Sequence, residues 1–381
     1  MTAALVRMLG DFDLAEELVQ EALLEALQHW PTEGIPEKPG AWLLTTARRK
    51  AVDQLRRQAR FRDKLAQLEG DVMRDDTAEG DDRLRLIFTC CHPALSREAQ
   101  VALTLRAVAG LTTIEIARAF ITSEATIAQR IVRAKRKIVD ANIPYRMPTE
   151  RELPERLDEV LAVLYLMFNE GYLATAGEQA SRRDVAEDAA WLAGLMVRLM
   201  PDEPEALGLL ALMRLHLARA GARFDAAGDL VLLQDQDRGR WEQERITSAI
   251  VLLQRAAALH RTGPYQLQAA IAACHAEARS WGETDWQQIV ALYDALIELM
   301  PSPVVELNRA IARRYRDGAG AALDDVERLG EVLDAYYLFH ATRAELLRDL
   351  GREPEARAAL VRALELTANP AERALLQKRL S

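Results

Sequence analysis

Between residues 96 and 140 the apolar positions recur every three or four residues, and the breaks between them carry helix-capping residues. Ser96 is placed to cap a helix through REAQVALTLRAVA, which Gly110 ends. Thr112 and Glu115 have capping-box spacing and start a short helix, TIEIARAF. After the break ITS, Ser123 is the N-cap of a longer helix that begins at Glu124. On it Ile127, Ile131, Ala134 and Ile138 fall at i, i+4, i+7 and i+11, which makes one buried stripe. Arg130, Arg133 and Lys137 lie off the stripe, facing solvent or phosphate. Ala117 stands where the two helices should touch, and only a small side chain lets them approach. Two short-linked helices, the second basic on its outer face, predict a helix-turn-helix.

The same periodicity runs through the rest of the chain. FDLAEELVQEALLEALQHW reads as an acidic amphipathic helix, followed by a loop marked by Pro and Gly. AWLLTTARRKAVDQLRRQARFRDK then reads as a helix with a strongly basic face. Pro144, Pro148 and Pro154 break any helix in the segment after residue 140. Further on, ATRAELLRDLGREPEARAALVRALELTANP has tetratricopeptide logic. Gly351 ends one helix, Ala356 and Ala363 permit close packing, and Leu360 fills the groove between helices. WQQIVALYDALIELMPSPVVELNRAIARRYRDG shows the same rhythm more loosely. Such units stack into a curved solenoid whose concave face binds peptides or helices. Ala and Leu are abundant, while Val, Ile and Thr rarely alternate with polar residues, so the expected class is all-α. The boundaries follow as 1–62 (helical), 63–82 (acidic linker), 83–140 (helix-turn-helix), 141–154 (Pro-containing linker) and 155–381 (helical repeats).

Charge sharpens this division. The 381 residues carry a formal net charge of −9, too many residues for one compact core. Residues 1–150 hold 22 basic and 22 acidic side chains, so the whole excess lies in 151–381, with 27 against 36. Within the neutral part the signs are clustered: eight basic and two acidic at 41–67, six and one at 118–137, with the acidic EGDVMRDDTAEGDD between them. Two basic clusters in an acidic protein point to nucleic acid. The solenoid's own charge would repel DNA, so its expected partner is a protein, or another part of the same chain.

Candidate chemistry changes the picture little. Cys90, Cys91 and Cys274 make no disulfide framework and suit a reducing compartment. In TCCHP the adjacent Cys90 and Cys91 point about 100° apart on a helix, and with only His92 nearby no four-ligand zinc set is visible. DQDRG (235–239) lacks the glutamate of a calcium loop and reads as a capped turn. Asn169 and Glu170 in FNEGY read as a turn. No phosphate loop or catalytic triad is recognisable, so neither an enzyme nor a cofactor is expected. No apolar run reaches about 18 residues, and the first residues lack the apolar core of a signal peptide. A cytoplasmic protein without membrane contact is expected.

With these segments in view, DLAEELVQEA, AWLLTTARRKAVDQLRR and IEIARAFITSEATIAQRIVRAKRKI resemble regions 2 and 4 of an extracytoplasmic-function (ECF) RNA polymerase sigma factor. Ile116-Ala117 and Thr126-Ile127, with Arg130, Arg133 and Lys135, align without a gap on the family's region 4. DDRLRLIFTCCHPALS, LYLMFNEGY, VLLQDQDRGRW, GPYQLQAAIAACHA, TDWQQIVALYDAL and SPVVELNRAIA resemble the subgroup with a long tetratricopeptide-like C-terminal extension. The resemblance implies that the chain carries core RNA polymerase to promoter DNA. It implies binding to the β′ clamp helices through Glu16, Glu17, Gln20 and Glu21, and a further contact with the β flap. The −10 element would be melted and read by Arg48, Arg49, Lys50, Gln54, Arg56 and Arg57, with Trp42 nearby and better suited to core packing. Cations there would neutralise phosphates, and polar groups would meet flipped bases. The −35 element would be read by Ser123, Glu124, Thr126, Gln129, Arg130 and Arg133, with Arg136 and Lys137 on phosphates. The acidic linker would thread towards the RNA exit path, and the extension would regulate, binding a protein regulator or acting on the polymerase or on regions 2 and 4.

This chain departs from the family in places. Arg49 stands where most members have Asn, Ile121 where a turn glycine is common, and Met1 falls partway through the expected first helix of region 2. The competing reading is a stand-alone helix-turn-helix regulator with a helical-repeat sensor domain. A scaffold whose basic helices bind no DNA is a third.

Overall fold

The computed structural model describes the chain except for residues 58–77, 121, 173–178, 226–227, 368 and 381. It divides into two compact units, Met1–Leu166 and Met167–Ser381. Both are helical; among the described residues the β-type pairing is a single antiparallel bridge, Phe224 with Leu230. None of the described helices is long and apolar enough to cross a membrane.

The first unit contains α1 (Thr2–Leu9), α2 (Phe12–Glu33), α3 (Pro39–Arg57), α4 (Ala78–Cys90), α5 (Arg97–Thr104), α6 (Thr113–Ala119), α7 (Glu124–Asp140) and the first part of α8 (Leu153–Tyr172). Gly10, at φ 69°, ends α1 in a left-handed conformation that glycine adopts without penalty. Asp11 then caps α2, its carboxylate accepting from the N–H groups of Asp13 (2.9 Å) and Leu14 (3.1 Å). Phe12, Ala15, Leu18, Ala22 and Ala26 make the buried face of α2, and Ala47 and Ala51 the buried face of α3. Helix α5 continues into a π-helical turn, Leu105–Ala109, and Gly110 closes it at φ 83°.

Five polar contacts tie separate parts of this unit together. The buried hydroxyl of Tyr145 lies 2.8 Å from the carbonyl oxygen of Ala3 and 2.9 Å from that of Asp82. Burial, then the Asp82 carboxylate, pushes this phenol well above its ordinary range, so it stays a donor. Arg7 pairs with the buried Asp82 at 3.3 Å, and Arg97 with Glu159 at 2.8 Å. Arg156 donates to the Phe88 carbonyl.

Helix α8 differs from two sequence expectations. Pro154 is its second residue, where the fixed φ suits a helix and the missing N–H is not needed. It therefore starts a helix rather than preventing one. Asn169 and Gly171 lie inside α8, not in a turn; Met167 and Phe168 are completely buried, and their packing outweighs glycine's helix penalty of about 1 kcal/mol.

The second unit contains α9 (Gln179–Leu199), α10 (Pro204–Ala218), α11 (Gln243–Ala258), α12 (Pro264–Glu277), α13 (Trp286–Leu299), α14 (Pro303–Asp317), α15 (Ala319–Glu327), α16 (Gly330–Leu333), α17 (Tyr337–Asp349), α18 (Glu353–Leu366) and α19 (Pro370–Leu380). Packing runs mainly between sequence neighbours, α12 on α13, α13 on α14, α14 on α15, α17 on α18 and α18 on α19, the one-dimensional stacking of a helical-repeat solenoid. Ala356, Leu360 and Ala363 are buried in the seams of α18, and Gly351 follows α17 at φ 72°, as the repeat pattern predicts. Helix α10 is buried nearly all round, between α9, α11 and α12. Gly208 makes the α10–α12 approach possible: a Cβ there would lie 2.7 Å from the backbone nitrogen of Gln266. Glu205 then caps α12 from outside it, accepting from the N–H groups of Tyr265 (2.9 Å) and Gln266 (3.1 Å).

Candidate nucleic-acid interface

The helix-turn-helix forms as its capping residues dictate. Thr112 Oγ1 accepts from the Glu115 N–H at 3.2 Å, while Glu115 accepts from the Thr112 N–H at 2.6 Å, a reciprocal capping box at the start of α6. Ser123 Oγ accepts from the Thr126 N–H at 3.1 Å and lies 2.7 Å from its hydroxyl, fixing the first turn of α7. Ile116 and Ala117 are buried, and Ile127, Ile131, Ala134 and Ile138 form the inward stripe of α7. Glu124, Gln129, Arg133, Arg136 and Lys137 on α7 are exposed, and Arg130 is half-buried at the edge of the stripe. Arg136 pairs with Asp140 at 3.5 Å, one turn on. Arg133 and Lys137 pair with no carboxylate among the described residues, while the charge of Arg130 is felt by Glu98. An exposed row in which cations outnumber carboxylates is a surface suited to phosphate.

The other basic cluster is less uniform. On α3, Arg49 is exposed, and Arg48 and Gln54 are half-buried. Lys50 faces α2, pairing with Glu25 at 3.0 Å and Glu21 at 3.3 Å, and the hydrogen bond to Glu25 raises its pKa. The side chains of Arg56 and Arg57, most of the acidic segment 63–82, and Ile121 lie outside the described residues. Trp42 packs edge-on against Trp30, 5.5 Å between ring centroids, in agreement with a packing role.

The four carboxylates and amides expected to meet polymerase are divided. Glu17 and Gln20 are exposed, and one helical turn on Leu24 and Leu27 extend the same face at 58% and 72% exposure. Glu21 is shared with Lys50. Glu16 is held inside the unit, 3.1 Å from Lys135 Nζ and 3.7 Å from Arg106. Lys135 also reaches Asp13 at 2.8 Å and is itself only 8% exposed. A cation on the second helix of the helix-turn-helix is thus spent on α2.

Neither this contact nor the bare leucines of α2 are among the expectations from sequence. Lys135 follows Ile131 by four residues and precedes Ile138 by three, so it lies on the buried stripe, a position where a lysine needs a carboxylate partner. Leu24 and Leu27 fall off the Ala15–Leu18–Ala22–Ala26 face, which leaves them to solvent.

The thiols are structural. Cys90 and Cys91 are completely buried, and burial pushes the Cys91 thiol up to about 11. His92 accepts from the Ala94 N–H at 3.1 Å. Asp237 accepts from the Gly239 N–H at 2.9 Å, the capped turn expected of DQDRG.

Residues 1–61 match Sigma-70 region 2, residues 85–138 match Sigma-70, region 4, and residues 156–257 match a family of unknown function (DUF6596). The chain is 46% identical to the uncharacterized protein R00370 of Rhizobium meliloti (strain 1021) over 99% of its own length and 92% of that protein's. It is 32% identical to the ECF RNA polymerase sigma factor SigK of Mycobacterium ulcerans (strain Agy99), across 36% of this chain and 78% of that one. With SigK of Mycobacterium bovis (strain BCG / Pasteur 1173P2) the identity is 31%, over 35% and 74%.

Proposed function

Because the chain belongs to the ECF RNA polymerase sigma factors, we propose a division of its surfaces that fits a promoter-specific transcription initiation factor. The family acts with core RNA polymerase on promoter DNA and is not a class of enzymes. Matches to both sigma regions, in the order a sigma factor has them, favour this reading over a stand-alone helix-turn-helix regulator.

The exposed cationic face of α7 carries the assignment. Arg130 and Arg133, with Gln129 and Glu124, are the groups for base edges of a −35 element in the major groove, where arginine pairs with guanine and acid or amide groups meet cytosine or adenine. Lys137 and Arg136 contact phosphate, and Ser123 and Thr126 hold the first turn in place. On the first domain Arg48 and Arg49, with Gln54, Arg56 and Arg57, serve the melted −10 strand. Lys50 joins them once released from Glu21 and Glu25. The face of α2 made by Glu17, Gln20, Leu24 and Leu27 suits the β′ clamp helices: apolar anchors ringed by polar groups are what a protein interface uses. Glu16 and Glu21 join it when their internal pairs open, and the helix-turn-helix unit takes the β flap. The C-terminal helices regulate, through a protein partner or through regions 2 and 4. Acting on DNA places the protein in the cytoplasm.

The test mixes the full chain with sigma-free core polymerase and DNA from upstream of its own gene. Specific run-off transcripts are expected. Arg130→Ala should lose them while retaining core association, and Leu24→Glu should lose core association itself. Absence of any stable complex between the full chain and core would return the stand-alone regulator to first place.

A further inference from the structure

A cavity of about 310 Å³ opens in the second unit, bounded by α10, α12, α13, α14 and the stretch around Leu233 and Trp241. Its wall is chemically uneven. Leu212, Leu215, Ile271, Leu296 and Val305 give it an apolar floor, and none of its lining residues is an aspartate or glutamate. Against that floor stand one guanidinium, Arg219, two imidazoles, His216 and His275, and the indole of Trp241.

Two of these groups, Arg219 and Trp241, keep spare donor capacity. Arg219 donates to His216 Nδ1 at 3.2 Å and pairs with no carboxylate among the described residues. That bond fixes His216 as an acceptor at Nδ1 and leaves its other nitrogen as a donor. Burial, then Arg219 and Arg223, keeps this ring neutral. Trp241 is 5% exposed, and its indole N–H has no hydrogen-bond partner among the described residues. The Nδ1 of His275 is likewise buried and unpartnered, its ring stacked on Trp281 at 5.6 Å between centroids. An orphaned indole donor and a guanidinium that pairs with no described carboxylate, both lining the cavity, are what a bound anion would satisfy. Solvent could hydrate the N–H, but it supplies no charge to Arg219 and gains nothing from the apolar floor.

We propose that the C-terminal unit binds a small organic monocarboxylate in this cavity, its carboxylate on Arg219 and the Trp241 N–H and its apolar body against Leu212, Ile271 and Leu296. The volume, at the lower end of small-molecule sites, admits roughly ten non-hydrogen atoms. One negative charge suits the one lining guanidinium, which pairs with no carboxylate among the described residues, and an apolar remainder suits the floor of Leu212, Leu215, Ile271, Leu296 and Val305.

The experiment uses the full chain and four probes: benzoate, phenylacetate, indole-3-acetate and octanoate, each beside its neutral amide. Binding is read by calorimetry, by the rise in melting temperature and by tryptophan fluorescence, to which Trp241 reports directly. At least one carboxylate should bind, and its amide should bind at least tenfold more weakly. Arg219→Met should lower the affinity of that carboxylate at least tenfold, and Trp241→Phe a few-fold. Failure of all four carboxylates, or equal binding of acid and amide, overturns the proposal, as does unchanged affinity in a folded Arg219→Met variant. The acid–amide comparison needs no substitution, so it decides even where a variant does not fold. None of these readouts involves polymerase or DNA.

Discussion

Arg130 and Lys137 stand on one helix, and under the proposed assignment they engage DNA differently. Arg130 lies near the start of α7, where a recognition helix meets base edges. Its replacement by Ala should weaken promoter binding by about 1–3 kcal/mol and relax sequence preference at one position. Lys137, three turns in, is assigned to phosphate alone. Lys137→Ala should weaken binding alike on every sequence and lower the salt slope by about one. Both are measured by titrating labelled promoter and scrambled DNA with the holoenzyme at several salt concentrations. His275 makes a different prediction at the same scale. Burial, with Arg219 and Arg238, lowers it from 6.5 to about 4, so between those values the unfolded chain takes a proton that the folded one refuses. Its contribution is intact above about pH 6.5 and is lost as pH falls towards 4, at most about 3 kcal/mol. His275→Gln should flatten that part of the stability curve, read from denaturant midpoints of both proteins at pH 7.5, 6 and 5.

At the level of elements, legibility tracked how local the determinants are. The start of α6, the start of α7 and the end at Gly110 were readable because each is set by residues three or four apart. The residues of α7 that face outward were readable for the same reason. Helix α8 was misread at both ends because Pro154 and Gly171 act by position and packing, not by identity. The cap that Glu205 gives α12 comes from 60 residues away, and the cavity draws on four helices and a turn, so no window of sequence contains either. The closeness of α10 and α12 is testable. Gly208→Ala places a methyl against backbone that cannot move aside, and should cost about 1–3 kcal/mol in chemical denaturation.

For the whole molecule the −9 charge is a poor guide to partners, because the excess lies entirely beyond residue 150 while Arg49 on α3 and Arg133 and Lys137 on α7 are exposed cations. In the proposed assignment the exposed leucines of α2 provide the second surface. Leu24→Glu removes an apolar anchor without touching the folded core, so core polymerase association should fall while the melting temperature of the free protein stays within about 1 °C. Co-purification and calorimetry separate the two effects.

The pairing of Lys135 with Asp13 and Glu16 makes α2 a helix with two suitors, one of them permanently tethered. Under the proposed assignment, polymerase claims Glu16 in competition with the chain's own lysine, and the affinity observed is the intrinsic affinity scaled by the fraction of molecules in which the pair is open. Methionine keeps the aliphatic bulk of Lys135 and removes the charge. Lys135→Met should therefore associate with core more tightly than the natural chain, by about fivefold for each 1 kcal/mol that the pair is worth. Deleting a cation from a DNA-binding helix would then strengthen the encounter that precedes DNA.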